Sequence, residues 1–405
     1  MTGAVVDPWA IPPDWPPPPP EALAHGRRVA AAVGAAIEAS GGALPFSAYM
    51  ELVLHAPGLG YYSAGARKFG PAGDFVTAPE LTSLFGQCLA NTLAPVVAAT
   101  GGDVLEIGPG SGRLALDLLQ ALDALGAPPR RYCLLEPSAE LRERQRTLLQ
   151  ERLSPALRAR LEWLEGWPAS FVGAVVANEV LDAFPVERFR VGAEGIEQAC
   201  VVQAEGGWRL CFRPAGGRVA AGGRRLAARY RLPPGFVGEW SPALPGWMAG
   251  LARALHRGVV VLVDYGLPGP ELYRAERTGG SLRCHYRHRV HDEPLLLPGL
   301  QDLTADVDFT AVAEAAQRAG LQVAAFVTQA AFLIDAGIEA AFTALAREGP
   351  GPGLWQTAQA VRTLLLPGEM GERFQVMGLA KGWEAALPGF RGRSRVEKLA
   401  IEEEP

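Results

Sequence analysis

A glycine-rich turn behind an acidic residue is the part of the sequence whose residue types and spacing best predict chemistry. A short apolar strand ends near Glu106, alternate glycines follow at Gly108, Gly110 and Gly112, and a leucine-rich helix begins at once. Glycines at such a strand-to-helix turn let the backbone approach a ligand that a Cβ atom would block. A dinucleotide turn needs G-x-G-x-x-G, but Arg113 stands three residues after Gly110. The turn therefore favours a nucleoside-containing ligand other than NAD.

A second acidic residue follows where the next parallel strand is expected to end. The apolar run 132–135 leads into Glu136, and Ser138 is a residue type that begins helices. A carboxylate in that place accepts hydrogen bonds from both hydroxyls of a ribose. Glu106 and the glycines form E-x-G-x-G-x-G, the spacing seen in S-adenosylmethionine (SAM) methyltransferases. The turn and Glu136 together predict SAM as the cofactor, whereas each alone would also suit a structural turn or a solvated strand end.

The fourth predicted strand ends in an amide and two carboxylates, at Asn178, Glu179 and Asp182. Methyltransferases hold the methyl acceptor at this place, beside the sulfonium. Carboxylates match a planar guanidinium in bidentate geometry. Because the guanidinium pKa exceeds about 12, the group must lose a proton during transfer, so a carboxylate would also act as a base. The structural alternative is that Asp182 caps a helix and Asn178 satisfies the strand end.

A glycine-rich loop precedes the core and offers polar groups that could close over the cofactor. It contains Gly73, Asp74 and Phe75, and Thr77 and Glu80 have the spacing of a helix capping box. We expect this loop to act as a lid, with glycines that merely turn the chain as the alternative.

Two further groups of titratable residues follow. Strand five ends in Asp264 and Tyr265, which we expect to point into the same crevice. His285, His288 and His291 lie close together, but their spacing matches neither an i, i+4 helical pair nor a zinc finger. The sequence therefore predicts no metal site, and it leaves the role of these histidines open.

Composition limits the classes of protein. The 405 residues carry a net charge of −5, and 49% of them are hydrophobic. That balance argues against a nucleic-acid partner, and no run reaches the ~20 apolar residues of a membrane helix. The five cysteines are scattered and odd in number, which favours a reducing, cytoplasmic location over a disulfide framework.

Alternating strands and helices from residue 103 onward predict a doubly wound α/β sheet. We expect strands near 103–107, 131–136, 160–164, 173–178 and 258–264, a helix at 309–319, and final strands at 321–328 and 373–380. This is the seven-stranded, Rossmann-like sheet of class I methyltransferases, with an N-terminal helical and glycine-rich lid. The predicted parts are a disordered proline-rich leader (1–24), a helical lid region (25–100), the SAM-binding core (101–184 and 256–384), an inserted β-rich substrate subdomain (185–255) and a loose tail (385–405).

With these residues in view, the chain resembles the MidA family of class I SAM-dependent methyltransferases. The resemblance runs from about 45 to 382 and rests on several motifs in order, among them GPAGDFVTAPELTSLFG, LEIGPGSGRLALDLL, LLEPSAELRERQ, ANEVLDAFPVERF, VDYG and PGLQDLTADVDF. It implies cofactor contacts for the three alternate glycines, for Glu136 and for the loop 73–75. It also implies an active-site role for Asn178, Glu179 and Asp182.

The mitochondrial members of that family are protein arginine methyltransferases that assist assembly of respiratory complex I. The resemblance thus implies methylation of an arginine on a protein, with a respiratory-complex subunit as one candidate. A SAM-dependent methyltransferase of small molecules and a SAM-binding assembly chaperone without turnover are the alternatives. The identity of the acceptor and the oligomeric state are not predicted.

Overall fold

The computed structural model describes residues 3–63, 77–347, 349, 351–392 and 394–402. The chain divides into two compact units, each assembled from three stretches of sequence. The first combines residues 1–75, 182–243 and 270–306, and the second combines residues 76–181, 244–269 and 307–405. A short helix, α10 (Gly269–Leu272), crosses the boundary between two of these stretches.

The second unit is an α/β unit that contains the predicted cofactor turn. Its strands are β3 (Asp103–Ile107), β4 (Tyr132–Leu135), β5 (Leu161–Leu164), β6 (Phe171–Asn178), β11 (Leu255–Leu267), β15 (Val307–Asp308), β16 (Gln322–Thr328) and β17 (Phe374–Lys381). Its helices are α3 (Ala78–Leu81), α4 (Ser83–Thr100), α5 (Arg113–Ala124), α6 (Ala139–Arg152), α7 (Pro155–Arg158), α9 (Leu244–Ala254), α11 (Phe309–Arg318), α12 (Gln329–Asp335), α13 (Ile338–Arg347), α14 (Pro352–Leu365) and α15 (Met370–Arg373), with a 3₁₀ turn at Val396–Leu399.

These strands form one mixed sheet in the order β16-β17-β11-β6-β3-β4-β5, with β15 added beside β11. The five strands from β11 to β5 run parallel, and β17 runs antiparallel to both of its neighbours. The central strands β6 and β11 are nearly continuous apolar runs, as expected of strands covered by helices on both faces. Because parallel strands end at one edge, the residues that follow β3, β4 and β6 come together there. This confirms an α/β fold.

The first unit contains two antiparallel sheets. Its strands are β1 (Val5–Val6), β2 (Leu44–Pro45), β7 (Glu187–Val191), β8 (Ile196–Ala204), β9 (Gly207–Pro214), β10 (Val237–Trp240), β12 (Arg283–Tyr286), β13 (Arg289–His291) and β14 (Asp302–Thr304), and its helices are α1 (Pro20–Ala39), α2 (Phe46–His55) and α8 (Gly217–Tyr230). One sheet has the order β1-β9-β8-β7-β10 with β2 beside β8, and the other has the order β13-β12-β14. The region expected as a separate insertion, 185–255, thus shares its sheet with N-terminal strands.

The proline-rich N-terminal segment differs from the disordered leader that composition predicts. Val5 and Val6 pair with β9, and the Trp15 ring lies 5.9 Å from that of Tyr286. Asp14 also accepts a hydrogen bond of 3.0 Å from Arg289. Prolines exclude a helix or a central strand here, but they do not prevent an edge strand and aromatic packing.

The predicted loose C-terminal tail is likewise held in part. The Ser394 hydroxyl accepts a hydrogen bond from Phe326 N at 3.2 Å, and Leu399 is fully buried. Leu399 O in turn accepts a hydrogen bond of 2.5 Å from Thr310 Oγ1. One buried apolar side chain and two hydrogen bonds therefore hold the segment after β17 against β16 and α11.

An ion cluster joins the starts of β3 and β4. Buried Asp103 accepts hydrogen bonds from the guanidinium groups of Arg130 and Arg131 at 2.7–3.1 Å. Burial alone would raise the pKa of Asp103, but the hydrogen bonds from Arg130 and Arg131 outweigh it and lower that pKa. Because the pKa is lower in the folded state, the stabilisation is present above the unfolded pKa of ~3.9 and is lost as the pH falls through the folded value.

We predict that Asp103→Asn lowers the free energy of unfolding at pH 7 by about 1.5–3 kcal/mol, the usual size for hydrogen bonds to a charged group. The difference from wild type should shrink as the pH falls below about 4, because the unfolded carboxylate is then protonated, and it should be smallest below the lowered folded pKa, where the native carboxylate is protonated as well. Denaturant unfolding at several pH values measures both effects. Asp123→Asn, at an exposed position of α5, is the control and should change little. If the loss of unfolding free energy in Asp103→Asn did not depend on pH, the charge of Asp103 would not be its cause.

Candidate functional site

The glycine turn after β3 has a left-handed backbone conformation that residues with a side chain rarely adopt. Gly108, Gly110 and Gly112 have φ angles of 63°, 54° and 83°, and Gly108 N donates to Leu135 O at 3.1 Å. A Cβ atom on Gly108 would lie 3.0 Å from Val180 Cγ2, so this turn lies directly against the chain that leaves β6. Substitution of these glycines would strain the backbone even without a ligand. Variants at Gly110 therefore cannot isolate a loss of cofactor binding from a loss of turn geometry.

Gln145 of α6 links the glycine turn to Glu136. The Gln145 Nε2 donates to Gly110 O at 2.9 Å and to Glu136 Oε2 at 3.3 Å, and its Oε1 accepts from Trp163 Nε1 at 3.0 Å. Ser138 N donates to Glu136 Oε1 at 2.8 Å. Gln145 is fully buried and Glu136 nearly so. The carboxylate at the end of β4 is thus fixed in orientation and tied to the backbone of the turn.

Glu106, the acidic residue at the start of the glycine motif, is buried within β3. The Tyr132 hydroxyl donates to Glu106 Oε2 at 2.6 Å. Burial raises the pKa of Glu106 to about 7, although the hydrogen bond from Tyr132 opposes the rise. A group with this pKa is largely protonated below neutral pH, so its contribution to the site changes near pH 7.

The turn after β6 is held by a carboxylate of β11, the strand that pairs with β6 in the sheet. Glu179 has a φ angle of 52°, a left-handed conformation that is uncommon for a residue with a side chain. Asp264 Oδ2 accepts hydrogen bonds from Val180 N at 3.1 Å and Leu181 N at 2.8 Å, while Glu179 N donates to Val263 O at 2.9 Å. Asp264 is 1% exposed. This carboxylate binds backbone amides, whereas the sequence predicts that it points into the crevice with Tyr265.

Asn178 ends β6 with one amide atom in use and one without a partner. Its Nδ2 donates to Glu179 Oε1 at 3.1 Å. Its Oδ1 is buried and has no hydrogen-bond partner among the described residues. A buried acceptor without a donor costs about 1–3 kcal/mol, so such an atom commonly marks a place where a ligand donates.

Asp182 falls in the first unit and does not cap a helix, because the described chain after it runs into β7. Its backbone O accepts a hydrogen bond of 3.1 Å from Ala305 N. Its carboxylate lies near Tyr62, whose hydroxyl donates to Asp302 Oδ1 at 2.8 Å. Burial first, and then Asp302 and Asp182, raise the pKa of Tyr62 well above its ordinary value. The catalytic assignment of Asp182 stays a prediction.

The lid loop is described only from its last residue onward. Gly73, Asp74 and Phe75 lie outside the described residues. Thr77 precedes α3 and is buried, but within the described chain its side chain makes no capping hydrogen bond. The predicted capping box is wrong, because Glu80 instead accepts a hydrogen bond from Ser111 in the glycine turn. The longer helix α4 begins five residues later than expected, with Thr82 as the residue that accepts from Leu84 N.

The three histidines lie on or between β12 and β13. His285 and His291 are strand residues, and His288, with a φ angle of 63°, is in the two-residue turn between them. Among the residues that the structure describes, no three His, Cys, Asp or Glu side chains are grouped to hold a metal ion. No single described helix is long and apolar enough to cross a membrane. The helices α12 and α13, which are bent by 60° relative to each other, meet the length and hydropathy criteria only as a pair.

Two residues that shape this site were missed or misread from sequence. Gln145 interrupts the apolar stripe of α6 between Leu141 and Leu149, and a polar residue within such a stripe is a signal of a buried hydrogen bond. Asp264 follows five apolar residues of β11, which indicates a strand end but not which groups its carboxylate contacts.

We predict that Glu106→Gln changes the pH dependence of stability. In wild type the unfolded Glu106 ionises near pH 4.3, whereas the folded group ionises near 7, so native stability falls as the pH rises between these values. The free energy of unfolding of Glu106→Gln should therefore equal that of wild type near pH 4.5. At pH 8 it should exceed that of wild type by on the order of 3 kcal/mol. Denaturant unfolding without cofactor measures this, with exposed Glu151→Gln as the control. Parallel pH profiles for Glu106→Gln and wild type would contradict the raised pKa.

Comparison with known proteins agrees with this geometry. The family model of S-adenosyl-L-methionine-dependent methyltransferases matches residues 88–327. The mitochondrial protein arginine methyltransferase NDUFAF7 of Mus musculus is 28% identical over 373 residues, which cover 84% of this chain and 81% of that protein. The Homo sapiens protein of that name is 28% identical over 378 residues, covering 84% and 80%. A crystal structure from Burkholderia thailandensis bound to S-adenosyl-homocysteine is 41% identical, with a TM-score of 0.89, and the match covers 95% of this chain and 100% of that one. The chain therefore belongs to this family of SAM-dependent methyltransferases, and SAM is its cofactor.

Proposed function

We propose that the cofactor is held between the glycine turn and Glu136. The three glycines at 108, 110 and 112 let the backbone approach the ligand, and the oriented carboxylate of Glu136 accepts hydrogen bonds from the ribose hydroxyls. Glu106 precedes this turn in β3, where it is buried and accepts a hydrogen bond from Tyr132, and we propose that it belongs to the cofactor side. The loop 73–75 and Thr77 complete the proposed cofactor side.

We propose further that the methyl acceptor is an arginine of a protein, bound by Asn178 and Glu179. The buried, unpartnered Asn178 Oδ1 is the observation that carries this assignment, because a guanidinium presents several N–H donors. Glu179 lies next to it and supplies a carboxylate. The named activity of the mitochondrial relatives, protein arginine methylation, supports the same acceptor class.

The chemistry follows from these positions. SAM supplies, when bound, a methyl group activated by its sulfonium. Asn178 Oδ1 accepts one guanidinium N–H and orients the planar group, and the Glu179 carboxylate balances its charge and accepts the proton that the nitrogen must lose. Alignment of the acceptor nitrogen with the methyl group supplies much of the rate enhancement. The turn that carries Asn178 and Glu179 must therefore be rigid.

We predict that Glu136→Ala weakens SAM binding by ~1.5–3 kcal/mol, the usual size for hydrogen bonds to a charged group. Isothermal calorimetry with SAM and S-adenosyl-homocysteine measures the change. Glu151→Ala, at an exposed glutamate of α6, is the matched control and should bind as wild type does. Full affinity in Glu136→Ala would refute the ribose assignment.

We predict that Glu179→Gln leaves SAM affinity nearly intact and lowers methyl transfer by roughly 10²-fold or more, the scale of a lost general base. The assay incubates the enzyme and methyl-labelled SAM with an extract from cells that lack this protein. Label should enter a protein fraction, and acid hydrolysis should release methylated arginine.

Other outcomes of this assay identify other functions. Label in the small-molecule fraction would replace the protein acceptor with a small molecule. SAM binding without any transfer would favour an assembly chaperone. Equal rates for Glu179→Gln and wild type would remove Glu179 from catalysis.

A further inference from the structure

A long stretch of the first unit is strongly basic, although the protein as a whole is acidic. Residues 206–238 contain seven basic residues and no acidic residue. The remaining 372 residues carry 31 basic and 43 acidic side chains, a net charge of −12. The basic residues are all arginines, at Arg209, Arg213, Arg218, Arg224, Arg225, Arg229 and Arg231.

Helix α8 presents three of these seven arginines to solvent. It packs through Ala220, Gly223 and Leu226, and a Cβ atom on Gly223 would lie 2.6 Å from Ile196 Cγ2 of β8. The small residues let the helix lie close to the sheet, so its opposite side faces outward. Five exposed arginines, three on α8, one four residues before it and one directly after it, are here called the arginine face: Arg213, Arg218, Arg224, Arg225 and Arg231.

The arginine face is electrostatically unfavourable in the isolated protein. Within the described residues, none of its five guanidinium groups lies within 4.0 Å of an acidic side chain. Arg218 also lies in the first turn of α8, where the helix dipole disfavours a positive charge. Protein surfaces usually intersperse charges of both signs. A cluster of one sign without counter-charges is typical of a surface that meets a partner of opposite sign.

The surroundings of the arginines distinguish between kinds of anionic partner. The apolar side of α8 is buried against the sheet, so it is unavailable to insert into a membrane. The exposed positions between the arginines include Ala221 and Ala228, which offer no aromatic ring on which nucleic-acid bases could stack. A long polyanion would also meet the negative charge of the remaining chain, whereas a short acidic segment stays within a Debye length, ~8–10 Å, of the arginines.

We infer that the arginine face is a docking surface for an acidic segment of a partner protein. Helix α8 has 14 residues and is therefore ~21 Å long, which matches about six residues of extended chain. Guanidinium groups bind carboxylates in bidentate geometry, so the side chains at 218, 224 and 225 would contact successive acidic residues. The inference does not depend on the identity of the methyl acceptor, since docking and transfer are measured separately.

The test measures binding of a fluorescent peptide of about ten Asp and Glu residues to the full chain by anisotropy. We expect binding that weakens with added salt, and a loss of about 10-fold or more in the triple variant Arg218→Gln, Arg224→Gln and Arg225→Gln. A triple variant of three exposed arginines elsewhere, Arg27→Gln, Arg274→Gln and Arg362→Gln, should bind as wild type does. SAM affinity should be unchanged in both triple variants, and neither should unfold at a lower temperature than wild type.

Three results would overturn the inference. The first is equal loss of peptide binding in the two triple variants. The second is tighter binding of a single-stranded RNA of similar length and charge. The third is tighter binding to vesicles of phosphatidylcholine and phosphatidylserine than to the peptide. Loss of peptide binding with retained methyl transfer to a protein acceptor would leave the proposed function intact.

Discussion

The Asp264 carboxylate is the contact on which the proposed active site depends. It is buried near the end of β11 and accepts hydrogen bonds from Val180 N and Leu181 N, which follow the neighbouring strand β6. Glu179, just before these amides, has a left-handed backbone that costs about 1–2 kcal/mol and persists only if the neighbouring atoms fix it. The charge of Asp264 thus stabilises a turn that the local sequence alone would not adopt.

The cofactor side follows the same principle. The glycines permit an unusual backbone, and buried polar side chains then determine which conformation the backbone and the carboxylate adopt. Gln145 binds both Gly110 O and Glu136 Oε2, so α6 positions two parts of the proposed cofactor site at once. Because the glycine turn also contacts Val180, the turn after β3 and the turn after β6 are fixed relative to one another. In this second unit, polar groups in the interior therefore determine the geometry of both turns.

Much of the second unit could be predicted from sequence, because its signals are local. The apolar runs that become β3, β4 and β6 lie within three residues of the predicted bounds, and the α/β fold follows from their alternation with helices. Thr77 shows the limit: its spacing to Glu80 matches a capping box, but Glu80 is engaged by Ser111, 31 residues away. Asp264 and Gln145 likewise act through partners far along the chain, and periodicity carries no information about such contacts.

The first unit was harder to predict for a related reason. Its main sheet joins Val5–Val6 and Leu44–Pro45 to strands between 187 and 240, so strands of two residues take their place only through distant neighbours. Strands this short have no periodicity to read. The proline content predicts disorder for this segment because prolines exclude helices. Composition contains no information about the packing of Trp15 on Tyr286, which holds the segment in place.

The central claim is that Asp264 positions the acceptor-binding turn and does not itself contact the cofactor. The most direct test compares Asp264→Asn with wild type in SAM calorimetry and in the initial rate of methyl transfer to an acceptor-containing extract. Asparagine keeps the shape but has one acceptor oxygen, so it cannot accept from Val180 N and Leu181 N on one side and from Tyr265 N on the other. The account predicts a SAM affinity within about threefold of wild type and a rate lower by roughly 10²-fold, the effect of a misaligned acceptor. An unchanged rate in the folded variant would contradict it, as would a loss of SAM binding as large as the loss of rate.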